Sequence, residues 1–279
     1  MSAPTVSICV PSYNAERFVG ETLRSVFAQT YTDYELILVD DASDDATLSV
    51  VESFTDARLS VFRNETRLGA AGNWNAAIAK ARGRYVKLLC SDDVLAPDCV
   101  ERQVRVFDDD ANANVAMVGG RRDVIDTDGR VLFRARGGGG LDGRVDGRRA
   151  IRRTVQLATT PFGEPSFVML RKSVLDEIGE FRGEYGYVVD MDLWARVLRH
   201  HDYVGLQGTL GSFRVSNSSW TSRLAARQGR EARRWFREVA ADPAFGVTKP
   251  DLALCLAKTH LLSRARRSAF ALAEWRSRR

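Results

Sequence analysis

A chain of 279 residues with 44% hydrophobic content fits a globular protein able to bury a full core, in one large domain with a small appendage. Its net charge of +5 is unevenly placed: residues 1–220 sum to −4 and residues 221–279 to +9. That split argues against a uniformly basic nucleic-acid-binding surface on the main domain, while the tail is suited to anionic lipid or an acidic partner.

The N-terminal segment Met1-Ser2-Ala3-Pro4-Thr5 has no signal-peptide pattern, and no apolar run reaches the roughly 18 residues of a spanning helix. A cytoplasmic location is therefore expected. Cys9, Cys90, Cys99 and Cys255 show no C-x-x-C spacing and read as reduced thiols, and His200, His201 and His260 form no metal-ligand pattern.

In chain order, short apolar runs alternate with longer amphipathic segments over the first 120 residues, the pattern of βαβ units in a mostly parallel sheet. Strands are predicted at Val6–Val10, Glu35–Val39, Leu59–Phe62, Tyr85–Leu89 and Val115–Val118. Helices are predicted at Ala15–Gln29, Asp44–Phe54, Ala70–Ala81 and Pro97–Asp108, Pro97 suiting a first helical turn. From Asp123 the alternation weakens. The Arg- and Gly-rich stretch Arg134–Gly147 is expected to be a mobile surface loop, either a linker or a lid over substrate. An extended segment follows at Ser166–Leu170, then helices at Lys172–Ile178 and Asp190–His201 and an extended segment at Tyr203–Val215. The tail after Trp220 reads as helices. Its final stretch, Arg264–Arg279, interleaves arginines with Phe270, Leu272 and Trp275, a pattern open to a lipid-interface helix or to a solvated packing helix.

Polar residues gather where the apolar strands end: Pro11-Ser12-Tyr13-Asn14, Asp40-Asp41-Ala42-Ser43 and Ser91-Asp92-Asp93. Open α/β sheets bind ligands outside the carboxyl ends of their strands, so the three clusters are expected to share one site. Paired carboxylates at a buried strand's exit are unfavourable unless a cation joins them. Mg²⁺ or Mn²⁺, held by one or two carboxylates and completed by substrate phosphates, suits such a pair. The first turn is not G-x-G-x-x-G, which excludes the usual dinucleotide fingerprint, and no P-loop pattern appears.

Read together, Val6-Ser7-Ile8-Cys9-Val10-Pro11-Ser12-Tyr13-Asn14, Val39-Asp40-Asp41-Ala42-Ser43-Asp44-Asp45 and Ser91-Asp92-Asp93 resemble family 2 glycosyltransferases. So do Leu68-Gly69-Ala70-Ala71-Gly72-Asn73-Trp74-Asn75, Gly163-Glu164-Pro165-Ser166 and Asp190-Met191-Asp192-Leu193-Trp194, over roughly residues 4–220. The resemblance implies a GT-A fold, an α/β architecture with a mixed, mostly parallel sheet, over residues 1–220, followed by a basic helical extension over 221–279. It implies transfer of a sugar from a nucleoside-diphosphate donor with inversion at the anomeric carbon. Leaving-group charge on the diphosphate is what a divalent cation would stabilise.

By the same resemblance, Asp93 is the metal ligand, and Asp92 lies near the donor ribose or sugar or reaches the cation through water. Ser91 stands where the family often has Asp. Asp41 matches the carboxylate that accepts the imide N–H of uracil or thymine, leaving UDP and TDP donors both open. Pro11, Tyr13, Asn14 and Glu16 match the first nucleotide-contacting loop, with Tyr13 either stacking on the base or packing. Arg67 is a candidate for the phosphates or base edge, and Asn75 matches a family asparagine. Asp190 matches the residue that takes the acceptor's proton as general base. Asp192 is its rival, with stabilisation of the first helical turn as the alternative role. Glu164 is a candidate for the acceptor or donor pocket. Ser216 stands where many relatives have His, and Arg214 is placed to substitute in part for that contact. A glycan or lipid-linked acceptor, and contact of the C-terminal helices with an anionic membrane face, complete the expectation. The rival reading is a non-catalytic nucleotide-sugar-binding or scaffold protein of the same fold.

Overall fold

The computed structural model describes residues 3–216 and 225–261. Its strands are β1 (Val6–Ser12), β2 (Tyr34–Asp40), β3 (Leu59–Arg63), β4 (Tyr85–Leu88), β5 (Val94–Leu95), β6 (Val115–Ile125), β7 (Val131–Arg136), β8 (Gly143–Val145), β9 (Met169–Arg171) and β10 (Asp202–Arg214). Among the described residues they form one sheet in the order β3-β2-β1-β4-β9-β6-β10-β5, with β7 beside β6 and β8 beside β10. The β3-β2-β1-β4 half is parallel. Antiparallel β9 is then inserted between β4 and β6.

The helices are α1 (Val19–Phe27), α2 (Thr47–Glu52), α3 (Gly69–Ile78), α4 (Cys99–Phe107), α5 (Gly147–Leu157), α6 (Lys172–Ile178), α7 (Val189–Leu198) and α8 (Ala225–Ala241). Residues 249–261 form a further helix, α9. Every residue of β1 and β2 is buried, which is why both read as continuous apolar runs rather than alternating ones. The period-2 alternation reappears in what they touch. Val6, Ile8, Val10, Leu36 and Leu38 join α1 and α4 residues on one face, whereas Cys9, Ile37 and Val39 join α5 and α7 residues on the other.

Three departures from the sequence expectation have physical causes. First, β6 runs well beyond Val118, through Gly119 and Gly120. These two glycines are demanded by close approach, since a Cβ would lie 3.0 Å from Phe162 O at Gly119 and 2.9 Å from Leu210 Cδ1 at Gly120. Second, Arg134–Gly147 is not a free loop: β7 and β8 are both paired strands. Gly137, Gly138, Gly139 and Gly140 all take positive φ, so the glycine run makes the turn between them. Third, α5 was hidden by its arginines. The Asp146 carboxylate caps it by accepting from Arg149 N at 2.9 Å, and Ala150, Ile151, Thr154 and Val155 form its buried stripe.

α8 lays Ala232, Trp235, Phe236 and Val239 into the same cluster as α5 and α7. Burial of a Phe-sized side chain is worth about 2–3 kcal/mol, so α8 is anchored rather than loosely appended. The stretch Arg264–Arg279, read above as basic and amphipathic, lies outside the described residues.

Candidate active site

The carboxyl ends of β1, β2 and β4 open on a cavity of about 610 Å³ lined by Pro11, Tyr13, Asn14, Glu16, Asp41, Arg67, Ser91 and Asp92, among others. Carboxylates with fixed neighbours stand at the end of β2, Asp41 on the cavity lining and Asp40 behind it. Asp40, fully buried, accepts from Ser43 N and Ser43 Oγ, with Arg63 Nε 3.6 Å away. Asp41 accepts from Leu68 N at 2.7 Å, Gly69 N at 2.9 Å and Asn64 Nδ2 at 2.9 Å. Its charge thereby meets the positive end of α3. A carboxylate has about four lone-pair positions, so one more donor can be accepted there.

The first loop is cross-tied to the turn after β2. Asn14, at φ +48, donates to Asp44 Oδ1 at 2.6 Å and accepts from Asp44 N at 3.1 Å. Glu16 accepts from Ala46 N at 2.9 Å. The Arg67 guanidinium lies 3.9 Å from the centre of the Tyr13 ring, so these two expected residues meet face to face across the cavity lining.

Asn75 stands elsewhere. Its amide donates to Phe181 O at 2.9 Å and accepts from Phe181 N at 3.0 Å, tying α3 to the segment before α7. The asparagine that reaches the strand ends is Asn73, buried, which donates to Ser12 O and Val39 O and accepts from Asn64. Two positions apart on a helix lie on different faces, and that spacing was the available signal.

The two adjacent aspartates also part company. Asp93, expected to hold the cation, is fully buried. Its oxygens accept from Ser166 Oγ at 2.5 Å and Arg214 N at 3.0 Å, and burial beside Asp92 pushes its carboxyl well above the ordinary range. Asp92 is the one that lines the cavity. Burial raises its carboxyl too, opposed by the Arg214 charge. A carboxyl crowded and raised in this way at a cavity wall fits a divalent ion, which restores its ionised form and takes further ligands from a diphosphate. Among the described residues no group of three His, Cys, Asp or Glu side chains is arranged to hold a metal without such help.

Arg214, expected to substitute in part for the contact of the family His and to help form a donor or acceptor pocket, is instead buried behind this loop. Its Nε donates to Asp92 O at 3.0 Å, Nη1 to Asp126 O at 3.0 Å and Nη2 to Glu21 Oε2 at 2.6 Å, over the face of Phe18. All three nitrogens are thus used in holding the loop. Arg214→Ala is expected to destabilise the protein by about 3 kcal/mol, with Arg214→Lys only partly restoring it, because an ammonium cannot reproduce the fork. Urea unfolding checks this; a near-wild-type midpoint for the alanine variant would overturn it.

A second cavity, of about 530 Å³, meets the first at Trp74, Cys90 and Asp92. Glu164 lines it, paired with Arg122 at 2.5 Å. Asp190 lines it from the first turn of α7, accepting from Met191 N at 2.8 Å. Burial, with a smaller contribution from Glu164, pushes the Asp190 carboxyl up to about 7. Asp192 faces away, paired with Arg196 at 3.0 Å, and Arg196 in turn donates to Ile178 O and Glu180 O. The rival carboxylate is therefore a brace for α7 and not part of the cavity.

Residues 7–179 match the family model described as glycosyl transferase family 2. The chain belongs to this family. It is accordingly a glycosyltransferase, with the GT-A fold. It is 29% identical over 232 residues to an uncharacterised protein of Mycobacterium tuberculosis, covering 80% of this chain and 71% of that one. It is 38% identical over 120 residues to the UDP-Glc:alpha-D-GlcNAc-diphosphoundecaprenol beta-1,3-glucosyltransferase WfgD of Escherichia coli, covering 43% of this chain and 46% of that enzyme. The match thus spans less than half the length of that relative. Among solved structures, S. aureus TarS 1-349 in complex with UDP-GlcNAc superposes with a TM-score of 0.69 at 19% identity, over 91% of this chain and 71% of that one. The mannosyltransferase PcManGT from Pyrobaculum calidifontis, in complex with GDP-Man and Mn²⁺, gives 0.62 at 20% identity, over 96% and 76%. At these identities the two structures speak to the fold. Among the described residues no helix is long and apolar enough to cross a membrane.

Proposed function

We propose that the chain transfers a sugar from a UDP- or TDP-type donor in the first cavity to a hydroxyl of a glycan or lipid-linked acceptor in the second, inverting the anomeric carbon. The observation that carries this reading is the shared edge: Asp92 borders both cavities, and Asp190 borders the second. The base of the nucleotide lies against Tyr13 and Arg67 and gives its imide N–H to the remaining lone pair of Asp41. Pro11, Asn14 and Glu16 shape the wall around it.

Asp92 would hold Mg²⁺ or Mn²⁺, which when bound supplies positive charge to the departing diphosphate. Asp190, whose pKa burial raises to about 7, takes the proton of the attacking hydroxyl in its ionised form. Glu164, neutralised by Arg122, stays a positioning group rather than a competing base. Residues 1–220 carry the donor machinery in this reading and 221–279 form an extension, whose charge of +9 and exposed Leu254 and Leu261 favour peripheral contact with an anionic membrane face.

Thermal denaturation with UDP, TDP and GDP, each with and without Mn²⁺, tests the donor side. A ligand bound only to the native state raises Tm, by about 2.7 kcal/mol of stabilisation at a hundred times Kd. A metal-dependent rise with a pyrimidine nucleotide is expected. A rise with none of the three would sink the reading, and a rise without sugar transfer to any acceptor would favour the scaffold.

A further inference from the structure

The two cavities meet at three residues, Trp74, Cys90 and Asp92. In an inverting transfer the anomeric carbon is bonded to the diphosphate on one side and attacked by the acceptor oxygen from the other. The sugar ring must therefore lie between the departing phosphate and the incoming hydroxyl. We infer that the transferred pyranose rests on Trp74 at this junction, and that Trp74 determines which sugar is accepted from the donor. The inference rests on the donor and acceptor sides assigned above.

The three residues divide the work by their chemistry. Asp92 is committed to the cation in that reading. Cys90 is small and fixed at its backbone, where its N–H donates to Ser166 Oγ at 3.0 Å. Trp74 supplies the large surface: half-buried on α3, it packs against the core and still borders both cavities. An indole offers a flat apolar face that matches the C–H face of a pyranose. A sugar hydroxyl turned onto that face would lose water without gaining a hydrogen bond, and this cost separates one epimer from another. α8 closes the second cavity through Ala232 and Phe236, neither of which borders the first, so these two meet the acceptor rather than the donor sugar.

The indole is also held in register with the reacting centre. The Phe181 ring stands edge-on to Trp74, with 5.1 Å between centroids and 81° between planes, and edge-on again to Trp194 of α7 at 6.1 Å. Asn75, next to Trp74 in the chain, fixes the Phe181 backbone through its two hydrogen bonds, at 2.9 Å and 3.0 Å. Trp194 stands about one helical turn after Asp190 on α7. A sugar resting on Trp74 is thereby fixed relative to the carboxylate that takes the acceptor's proton. Asn75 is a positioning residue in this arrangement, acting on Trp74 through Phe181.

The test uses the full chain with Mn²⁺ and compares, by calorimetry, UDP and TDP with their glucose, galactose, N-acetylglucosamine and rhamnose conjugates. The wild type is expected to favour one conjugate over the others. Trp74→Ala is expected to weaken that conjugate relative to its bare nucleotide by about ten-fold and to flatten the ranking of sugars, while the bare nucleotide changes by less than about two-fold. Trp74→Phe should keep part of the preference but lose the tryptophan fluorescence change that the conjugate produces beyond the nucleotide. It carries the comparison if the alanine variant fails to fold. Asn75→Ala is expected to lower the same ratio by a smaller factor, whereas a merely structural role would weaken nucleotide and conjugate together. An unchanged ranking in the Trp74 variants, or equal loss of bare nucleotide and conjugate, overturns the inference. So does a wild type that binds nucleotide but distinguishes no sugar. A wild type that binds neither nucleotide removes the donor reading, and this inference with it.

Discussion

Asp190→Asn is expected to lower turnover by roughly 10²–10⁴-fold while leaving donor affinity nearly unchanged. The reason is positional. Of the carboxylates on the second cavity, Glu164 is committed to Arg122 and Asp92 stands at the junction with the donor cavity, whereas Asp190 faces the space an acceptor hydroxyl would enter. The asparagine keeps the size of the side chain and can still accept from Met191 N, so lost activity would not reflect a lost fold.

Acid–base behaviour sharpens this expectation. The base form of Asp190 is the ionised one, and burial pushes its pKa up to about 7. The rate with the wild type should therefore rise with pH through about 7 and then level, and that limb should vanish in the asparagine variant. Stability should move the opposite way. A carboxyl whose pKa is raised in the folded state favours the fold while protonated, and that contribution is lost as pH rises through the folded value. Asp190→Asn mimics the protonated form. Its Tm should exceed that of the wild type at pH 8, with the difference shrinking towards pH 4. A variant that keeps both the rate and its acid limb would remove Asp190 from the proposed chemistry.

The parts of this site that were legible in the sequence are those fixed by local pattern. β1, β2 and β4 were visible because buried parallel strands are continuous apolar runs, and the polar clusters at their ends marked the cavity edge. Asp190 could be preferred to Asp192 because it matches the motif position that the resemblance gives to the general base. What was not legible depended on partners far along the chain. Asp93 turns inward because Ser166 and Arg214 N are there to receive it, 73 and 121 residues away. Asn75, matched to a family asparagine, is held instead by Phe181, 106 residues on. The glycine run at Gly137–Gly140 carried the composition of a flexible loop, yet its meaning was a set of positive φ values between two strands. The contribution of α8 to the second cavity arises from packing alone, and no spacing in its arginine-rich sequence announced it.

Substituting the two adjacent aspartates one at a time should give two different kinds of defect. Asp92→Ala is expected to fold normally, with a Tm near that of the wild type, but to lose the Mn²⁺-dependent part of nucleotide binding and to reduce transfer by at least about 10²-fold, since a lost transition-state charge contact is worth roughly 3 kcal/mol or more. Asp93→Ala removes the acceptor of two buried donors, Ser166 Oγ and Arg214 N. It is expected to destabilise the fold by about 2–4 kcal/mol, because each orphaned buried donor carries its own desolvation penalty. Asp93→Asn should recover most of that loss, as its carbonyl oxygen can still accept from Arg214 N. Calorimetry of the nucleotide with and without Mn²⁺, beside urea unfolding of all three variants, separates the two roles. If Asp93→Asn instead kept its stability but lost metal-dependent binding, while Asp92→Ala retained it, the cation would belong to Asp93 and the buried carboxylate would have to turn outward when the donor binds.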